Sequence, residues 1–196
     1  MAEIRLSICI PTYNFGKFIG ETLDSILRNL RDDVEVVILD GGSTDDTGLV
    51  VAQRQRGVPQ LKYHRQKFRG GIDRDIAKVI SLAQGGYCWL FSADDIMMPG
   101  AVERVLNHMK SLCDIYLCEH TLCDYEMRPI KPHPIFKHIA APEVFDLGNI
   151  LQRQRYFREA RTSEAFFSFM SVPIFRRTIW EKAKGIPESF YETCWA

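Results

Sequence analysis

The chain has 196 residues, of which 46% are hydrophobic and 26% charged, a composition typical of a soluble globular protein. Its 25 lysines and arginines match its 25 aspartates and glutamates, so no nucleic-acid partner is expected, since such partners favour a basic face. No apolar run approaches the roughly 20 residues that cross a bilayer, and the N-terminus lacks the apolar core of a signal peptide. These features predict a cytoplasmic protein.

Short apolar runs alternate with segments of helical periodicity through the first 118 residues. Apolar runs bounded by turn residues predict strands at residues 6–10, 34–39, 61–64, 87–91 and 114–118. Apolar residues at three- and four-residue spacing predict helices at residues 17–30, from the next turn to about 55, at 72–83 and at 100–112. This order predicts an α/β fold with a Rossmann-like, mostly parallel sheet flanked by helices.

The alternation stops near residue 121, so we divide the chain into an α/β domain, residues 1–120, and a second region, residues 121–196. Three prolines at positions 129, 132 and 134 predict a loop or an extended ribbon. Further elements are predicted in the second region, with a basic helix at residues 149–161, a strand within 166–175 and a helix at 178–184. The arginines of the basic helix could bind a phosphate-bearing acceptor or an anionic membrane surface. The alternative is a solvated helix face balanced by Glu159 and Glu164.

Six cysteines are scattered along the chain, and Cys113, Cys118 and Cys123 are evenly spaced around His120. The spacing matches no standard zinc pair. We therefore expect reduced, mostly structural thiols.

Polar clusters follow three of the predicted strands. Thr12 and Tyr13 follow the first, Asp40 and two glycines follow the second, and Asp94 and Asp95 follow the fourth. Because the carboxyl ends of parallel strands meet at one edge, where α/β proteins bind ligands, these clusters predict a binding cleft.

Asp94 and Asp95 are adjacent carboxylates, which repel each other and each favour a cation or a proton. Magnesium or manganese bound in this way takes its remaining ligands from substrate phosphates and waters. The alternative is that Asp95 caps the helix that begins near Pro99 while Asp94 is solvated.

Asp40 can accept a hydrogen bond from a nucleobase or a ribose hydroxyl, and the glycines after it allow a ligand to approach the backbone. The alternative is a plain strand-to-helix turn capped by Ser43 or Thr44. Tyr13 similarly either packs on a base or is a half-buried turn aromatic.

A helix start is predicted at residues 70–75, Gly-Gly-Ile-Asp-Arg-Asp, with Asp73 and Arg74 in its first turn. Backbone N–H groups there favour anions, and Arg74 can pair with a phosphate. The alternative is a surface ion pair among Arg69, Asp73 and Arg74, which contributes little to stability.

Four motifs in order resemble family 2 glycosyltransferases, inverting enzymes with the GT-A fold. They are Ile-Cys-Ile-Pro-Thr-Tyr-Asn at 8–14, Val-Val-Ile-Leu-Asp-Gly-Gly-Ser-Thr-Asp at 36–45, Gly-Ile-Asp-Arg-Asp at 71–75, and Gly-Tyr-Cys-Trp-Leu-Phe-Ser-Ala-Asp-Asp at 86–95 before Pro-Gly. Residues 160–170 and 190–195 are similar to the abequosyltransferase-type branch, which builds bacterial lipopolysaccharide O-antigen.

The resemblance implies a nucleotide-sugar donor, a divalent metal (Mn²⁺ or Mg²⁺) and a glycan or lipid-linked oligosaccharide acceptor, with peripheral contact at the inner face of the cytoplasmic membrane. It implies nucleotide-binding roles for six residues: Pro11, Thr12, Tyr13, Asp40, Asp73 and Arg74. Asp94 and Asp95 would hold the metal, with Asp94 also catalytic. Glu192 is the carboxylate nearest to the place of the family's catalytic base.

Two departures from the family pattern leave other functions open. Ser92 occupies the first place of the acidic motif, and Glu192 is out of clear register, which favours a non-catalytic or degenerate nucleotide-sugar-binding domain. A nucleotidyltransferase would need a basic, glycine-rich loop after the first strand, and none is visible. Family members continue past residue 196, so residues 121–196 are predicted to be the start of a truncated acceptor side.

Overall fold

A computed structural model gives the fold and describes residues 3–136, 138–139, 143–161 and 169–183, the side chain of Ala183 excepted. Glu192, the predicted base, lies outside the described residues. The described chain forms two compact units, residues 3–115 with 174–183, and a second unit within residues 116–173. No described helix is long and apolar enough to span a bilayer.

Eight strands, six α-helices and one short 3₁₀ helix make up the described secondary structure. The strands are β1 (Leu6–Thr12), β2 (Val34–Asp40), β3 (Leu61–Arg65), β4 (Tyr87–Leu90), β5 (Ile115–Leu117), β6 (His120–Cys123), β7 (Pro129–His133) and β8 (Pro173–Arg176). The helices are α1 (Gly16–Leu27), α2 (Thr47–Gln55), α3 (Ile72–Leu82), α4 (Ala101–His108), α5 (Ile150–Arg161) and α6 (Arg177–Ala183).

Six of the strands form one sheet in the order β3-β2-β1-β4-β8-β5. The strands β1 to β4 are mutually parallel, and β8 joins β4 in the antiparallel direction. Every residue of β1 and β2 is buried, as expected for central strands of a sheet covered on both faces. The predicted α/β class with a mostly parallel sheet is confirmed.

Helix α1 shows how the sequence covers this sheet. Its Ile19, Leu23 and Ile26 are fully buried, and their spacing of four and three residues gives one apolar face. The predicted helix at 100–112 is shorter than expected. Gly100 has a φ of 73°, so α4 begins after it, and the last turn tightens into a 3₁₀ helix at Met109–Ser111.

The region after residue 121 differs partly from expectation. The proline-rich segment is an extended ribbon, as predicted, because β6 and β7 pair antiparallel in a two-stranded sheet. Only the end of the strand expected within residues 166–175 is present, as β8, because residues 169–172 are not strand; residues 162–168 lie outside the described part. Residues 174–183 group with the first unit, since β8 extends its sheet beside β4.

A buried carboxylate, Glu35, joins β2 to its neighbours at the amino end of the sheet. It is 1% exposed and accepts hydrogen bonds from Ser7 Oγ, Lys62 Nζ and the Gln84 amide, each at 2.6 Å. Burial alone would raise the pKa of Glu35, but the bonds from Lys62, Ser7 and Gln84 together hold it below the ordinary value. The ionised carboxylate therefore stabilises the fold.

Glu35→Leu is expected to lower the free energy of unfolding at pH 7 by about 2–4 kcal/mol, because it leaves three donors without their acceptor. Since the folded-state pKa is lowered, the carboxylate's contribution is present above pH 4.5 and is lost as pH falls through the folded pKa. Urea denaturation of both proteins at pH 7 and pH 3 measures this. A deficit that is equal at both pH values would contradict it.

Candidate functional site

The carboxyl ends of β1, β2 and β4 lie at one edge of the sheet, as the sequence predicted. Thr12 pairs with Asp40 at the last position of the β1–β2 ladder. The β1–β4 ladder continues past its last pair, because the Phe91 amide donates to the Cys9 carbonyl at 2.9 Å. The three polar clusters therefore leave the sheet side by side.

Side-chain hydrogen bonds lock the loops after β1 and β2 together. The Asn14 amide donates to Ser43 Oγ at 2.9 Å, and the Thr44 amide donates to Asn14 Oδ1 at 2.8 Å. Asp45 accepts hydrogen bonds from the Gly16 amide at 2.9 Å and the Thr47 amide at 3.0 Å. The cap predicted from Ser43 or Thr44 is wrong, because α2 begins at Thr47 and takes its acceptor from Asp45 instead.

Asp40 is fully buried and shapes the turn after β2. Its Oδ1 accepts hydrogen bonds from the amides of Gly42 at 3.0 Å and Ser43 at 2.7 Å, while Oδ2 accepts one from the Tyr63 hydroxyl at 2.5 Å. Burial, and secondarily Asp40, raise the pKa of Tyr63, so the phenol keeps its proton. Asp40 therefore holds the turn after β2 in place. Direct contact between Asp40 and a nucleotide stays a prediction.

Tyr13 follows β1 and is half-buried, with the Arg69 guanidinium 4.5 Å above its ring centroid. This cation–π contact is the described arrangement of Arg69. The alternative ion pair among Arg69, Asp73 and Arg74 is wrong, because no salt bridge joins these described residues. Arg74 is exposed in the first turn of α3, as expected for a side chain that could reach a phosphate.

Asp94 and Asp95 follow β4 and differ in their exposure to solvent. Asp94 is exposed and accepts a hydrogen bond from Ser92 Oγ, while Asp95 is half-buried. The capping role considered for Asp95 is wrong, because Gly100 is the N-cap of α4 without any side-chain cap, and its amide donates to Asn29 Oδ1 at 2.7 Å. Ser92 stands where the family motif has a carboxylate, and its hydroxyl donates to one oxygen of Asp94.

The segment after β4 is held against α1. The Thr22 hydroxyl donates to the Ala93 carbonyl at 2.9 Å, and the Met97 amide donates to Ser25 Oγ at 2.9 Å. Over the described chain, no group of three or more His, Cys, Asp or Glu side chains could hold a metal. The two aspartates fit magnesium or manganese only with substrate oxygens completing the shell, which is how these ions bind at phosphate-transfer sites.

Two further predicted residues lie in the same edge. Pro11 is buried in β1, opposite Leu39 in the β1–β2 ladder. Thr12 is 5% exposed and its Oγ1 has no hydrogen-bond partner. A buried hydroxyl of this kind ordinarily has a partner, so Thr12 marks a place where a ligand could supply one.

Sequence reasoning missed Asp75 and Tyr63. Asp75 is 5% exposed on the buried face of α3, four residues before the fully buried Val79. An aspartate at the helical spacing of a core residue was the signal that could have found it, because aspartate is almost never buried without a partner. Tyr63 carried no such signal, since an aromatic residue in a strand is ordinary.

The comparisons with known proteins agree with this arrangement. The family model described as "Glycosyl transferase family 2" matches residues 7–181. The chain belongs to glycosyltransferase family 2. Abequosyltransferase RfbV of Salmonella typhimurium is 32% identical over 182 residues, which cover 90% of this chain and 54% of that protein. The predicted similarity to the abequosyltransferase-type branch is therefore confirmed.

Solved structures support the same fold for this family 2 glycosyltransferase. S. aureus TarS 1-349 in complex with UDP-GlcNAc has a TM-score of 0.71 at 23% identity, over 92% of this chain and 48% of that one. Mannosyltransferase PcManGT from Pyrobaculum calidifontis, in complex with GDP-Man and Mn²⁺, has a TM-score of 0.62 at 21% identity, over 95% and 48%. The predicted GT-A fold is confirmed, and the chain spans about half the length of these relatives.

Proposed function

We propose that this protein transfers a sugar from a nucleoside diphosphate sugar to a glycan or lipid-linked oligosaccharide acceptor in O-antigen synthesis, with the help of a divalent metal. The observation that carries the proposal is the meeting of three strand ends at one edge. Tyr13, the glycines after Asp40 and the carboxylates of Asp94 and Asp95 all leave the sheet there. Similarity to an abequosyltransferase supports the reaction class.

Different residues of this edge would bind the base, the diphosphate and the metal. One face of the Tyr13 ring is covered by Arg69, so the base would pack on the other face, and Thr12 offers a buried hydroxyl that has no partner. Arg74 and Asp73 stand in the first turn of α3, where backbone N–H groups attract a diphosphate. Asp94 and Asp95 would hold a Mn²⁺ or Mg²⁺ ion, which neutralises charge on the departing diphosphate.

The reaction would be an inverting displacement at the anomeric carbon of the donor sugar. The acceptor hydroxyl loses its proton to a carboxylate base and attacks opposite the leaving nucleoside diphosphate. Glu192 is proposed as that base, although it lies outside the described residues. Arg74 would stabilise the negative charge that develops on the leaving group.

Helix α5 gives a reason to place the acceptor beside an anionic membrane surface in the cytoplasm. Its Arg153, Arg158 and Arg161 are exposed, whereas Arg155 pairs with Glu143. Exposed arginines are attracted to anionic lipid by about 1 kcal/mol each. The proposed acceptor is therefore lipid-linked and carried at the inner face of the membrane.

Calorimetry of the full-length protein with CDP, UDP and GDP, each with and without manganese, tests the donor class. We expect binding that needs manganese, because the diphosphate completes the shell of a metal held by only two aspartates. Preference for CDP would support the abequosyl-type assignment, and preference for UDP would weaken it. Failure of all three to bind would overturn the proposal. Hydrolysis of the nucleotide-sugar donor is assayed separately, with and without manganese. A protein that binds nucleotide but shows no manganese-dependent hydrolysis would be a non-catalytic binding domain instead.

A further inference from the structure

The carboxyl group of Asp75 stands over Gly41, the residue that directly follows β2. A Cβ atom at Gly41 would lie 2.9 Å from Asp75 Oδ2 and 3.7 Å from Tyr13 Cδ2. A side chain on a helix therefore points at the backbone of the strand edge, close to the ring already assigned to the base. Carboxyl, glycine and aromatic ring surround one point.

Gly41 is needed here for space and not for backbone conformation. Among the described residues, the glycines with positive φ are Gly42, Gly57, Gly71 and Gly100, so Gly41 does not belong to this set. Any L-residue could adopt its backbone conformation, yet a Cβ would collide with Asp75. The carboxyl of Asp75 can therefore occupy this position only because residue 41 has no side chain.

Only one oxygen of the Asp75 carboxyl has a partner among the described residues. Gln66 Nε2 donates to Oδ1 at 2.6 Å, and no hydrogen bond reaches Oδ2. Burial raises the pKa of Asp75, and Asp40 adds to this, while Gln66 and Arg69 act in the opposite direction. The side chain is only 5% exposed, yet Oδ2 is not among the described atoms that are fully buried without a partner, so an acceptor oxygen stays open to a ligand donor.

We propose that Asp75 reads the nucleobase of the donor by accepting a hydrogen bond from a base N–H group on its Oδ2, with the base lying against Tyr13. The inference rests on the proposed function and names the residue that sets its nucleotide preference. Cytosine, uracil and guanine each carry such an N–H group, and the nucleotides in the test separate them. A site built to hydrogen-bond a group rejects analogues that lack it, because its own polar atom is then left unpaired.

Asp75→Asn tests the inference, with Asp32→Asn, at an exposed position before β2, as the matched control. Calorimetry of the full-length protein with manganese compares the preferred nucleoside diphosphate with ribose 5-diphosphate, which has no base. We expect Asp75→Asn to weaken the nucleoside diphosphate about 10- to 100-fold, because an amide N–H₂ replaces the acceptor. Affinity for ribose 5-diphosphate should match wild type.

A second pair of variants moves the carboxyl. Gly41→Ala should displace Asp75 and weaken the same nucleotide, whereas the double variant Gly41→Asp with Asp75→Gly returns a carboxyl to this point and should recover part of the affinity. Equal loss of nucleotide and ribose 5-diphosphate, together with a lower melting temperature, would make Asp75 structural and overturn the inference. Unchanged nucleotide affinity and base preference in Asp75→Asn would overturn it while leaving the proposed function intact. Wild-type protein that binds no nucleotide would overturn both.

Discussion

Asp94→Ala in the full-length protein is expected to reduce manganese-dependent sugar transfer by about a thousandfold or more. Asp94 is the exposed carboxylate of the pair, and no third carboxylate, histidine or cysteine of the described chain joins them to replace it. Charge stabilisation by a bound metal is worth several kcal/mol in the transition state, and 1.4 kcal/mol corresponds to tenfold in rate. Initial rates of transfer at varied manganese concentration measure the loss.

Glu103→Ala provides the matched control, because Glu103 is an exposed carboxylate in α4 that belongs to none of the predicted clusters. It should transfer sugar at the wild-type rate with the same manganese dependence. Binding of nucleoside diphosphate should still require manganese in Glu103→Ala, as in wild type. Transfer by Asp94→Ala within tenfold of wild type, at the same manganese requirement, would remove Asp94 from the metal site.

Asp40→Ala is expected to lower the free energy of unfolding by about 3–5 kcal/mol, the largest of the stability changes predicted. The substitution strands the amides of Gly42 and Ser43 and the hydroxyl of Tyr63, each of which donates to this buried carboxylate. Each buried donor left without a partner costs about 1–3 kcal/mol, less where water enters. Because the turn also carries Gly41, nucleotide affinity should fall as well.

Asp40→Asn separates the charge from the hydrogen bonds. Its Oδ1 can still accept from Gly42 and Ser43, and its N–H₂ group can donate to Tyr63 once the phenol reverses its role. We expect a loss of about 1–2 kcal/mol in this variant. Urea denaturation measures both proteins, and a difference of less than 1 kcal/mol between Asp40→Ala and wild type would contradict the assigned role.

The sheet and its ligand-binding edge could be predicted because both depend on local patterns. Apolar runs and turn residues are visible in the sequence, and parallel strands force Thr12, Asp40 and the segment after β4 onto one edge. The partners of those residues could not be predicted in this way. Tyr63 is 23 residues from Asp40, and Asp75 is 34 residues from Gly41, so only the packed sheet brings them together.

The start of α4 was also predicted inaccurately from the sequence. Pro99 suggested a helix start, but Gly100 adopts positive φ and its amide donates to Asn29 Oδ1, so α4 begins one residue later. Asp95 was left out of the cap for the same reason. This contact depends on Asn29, just after the end of α1 and 71 residues away in the chain, and no local pattern encodes it.

The interlocked loops after β1 and β2 separate rigidity from specificity. Asn14, Ser43 and Asp45 fix those loops without any ligand, so the entropy of ordering them is lost during folding and not during catalysis. Selectivity instead depends on the opposing helix α3, whose carboxyl merely faces the fixed edge. Evolution can therefore exchange one donor for another by altering a few helix positions while the scaffold around the nucleotide stays as it is.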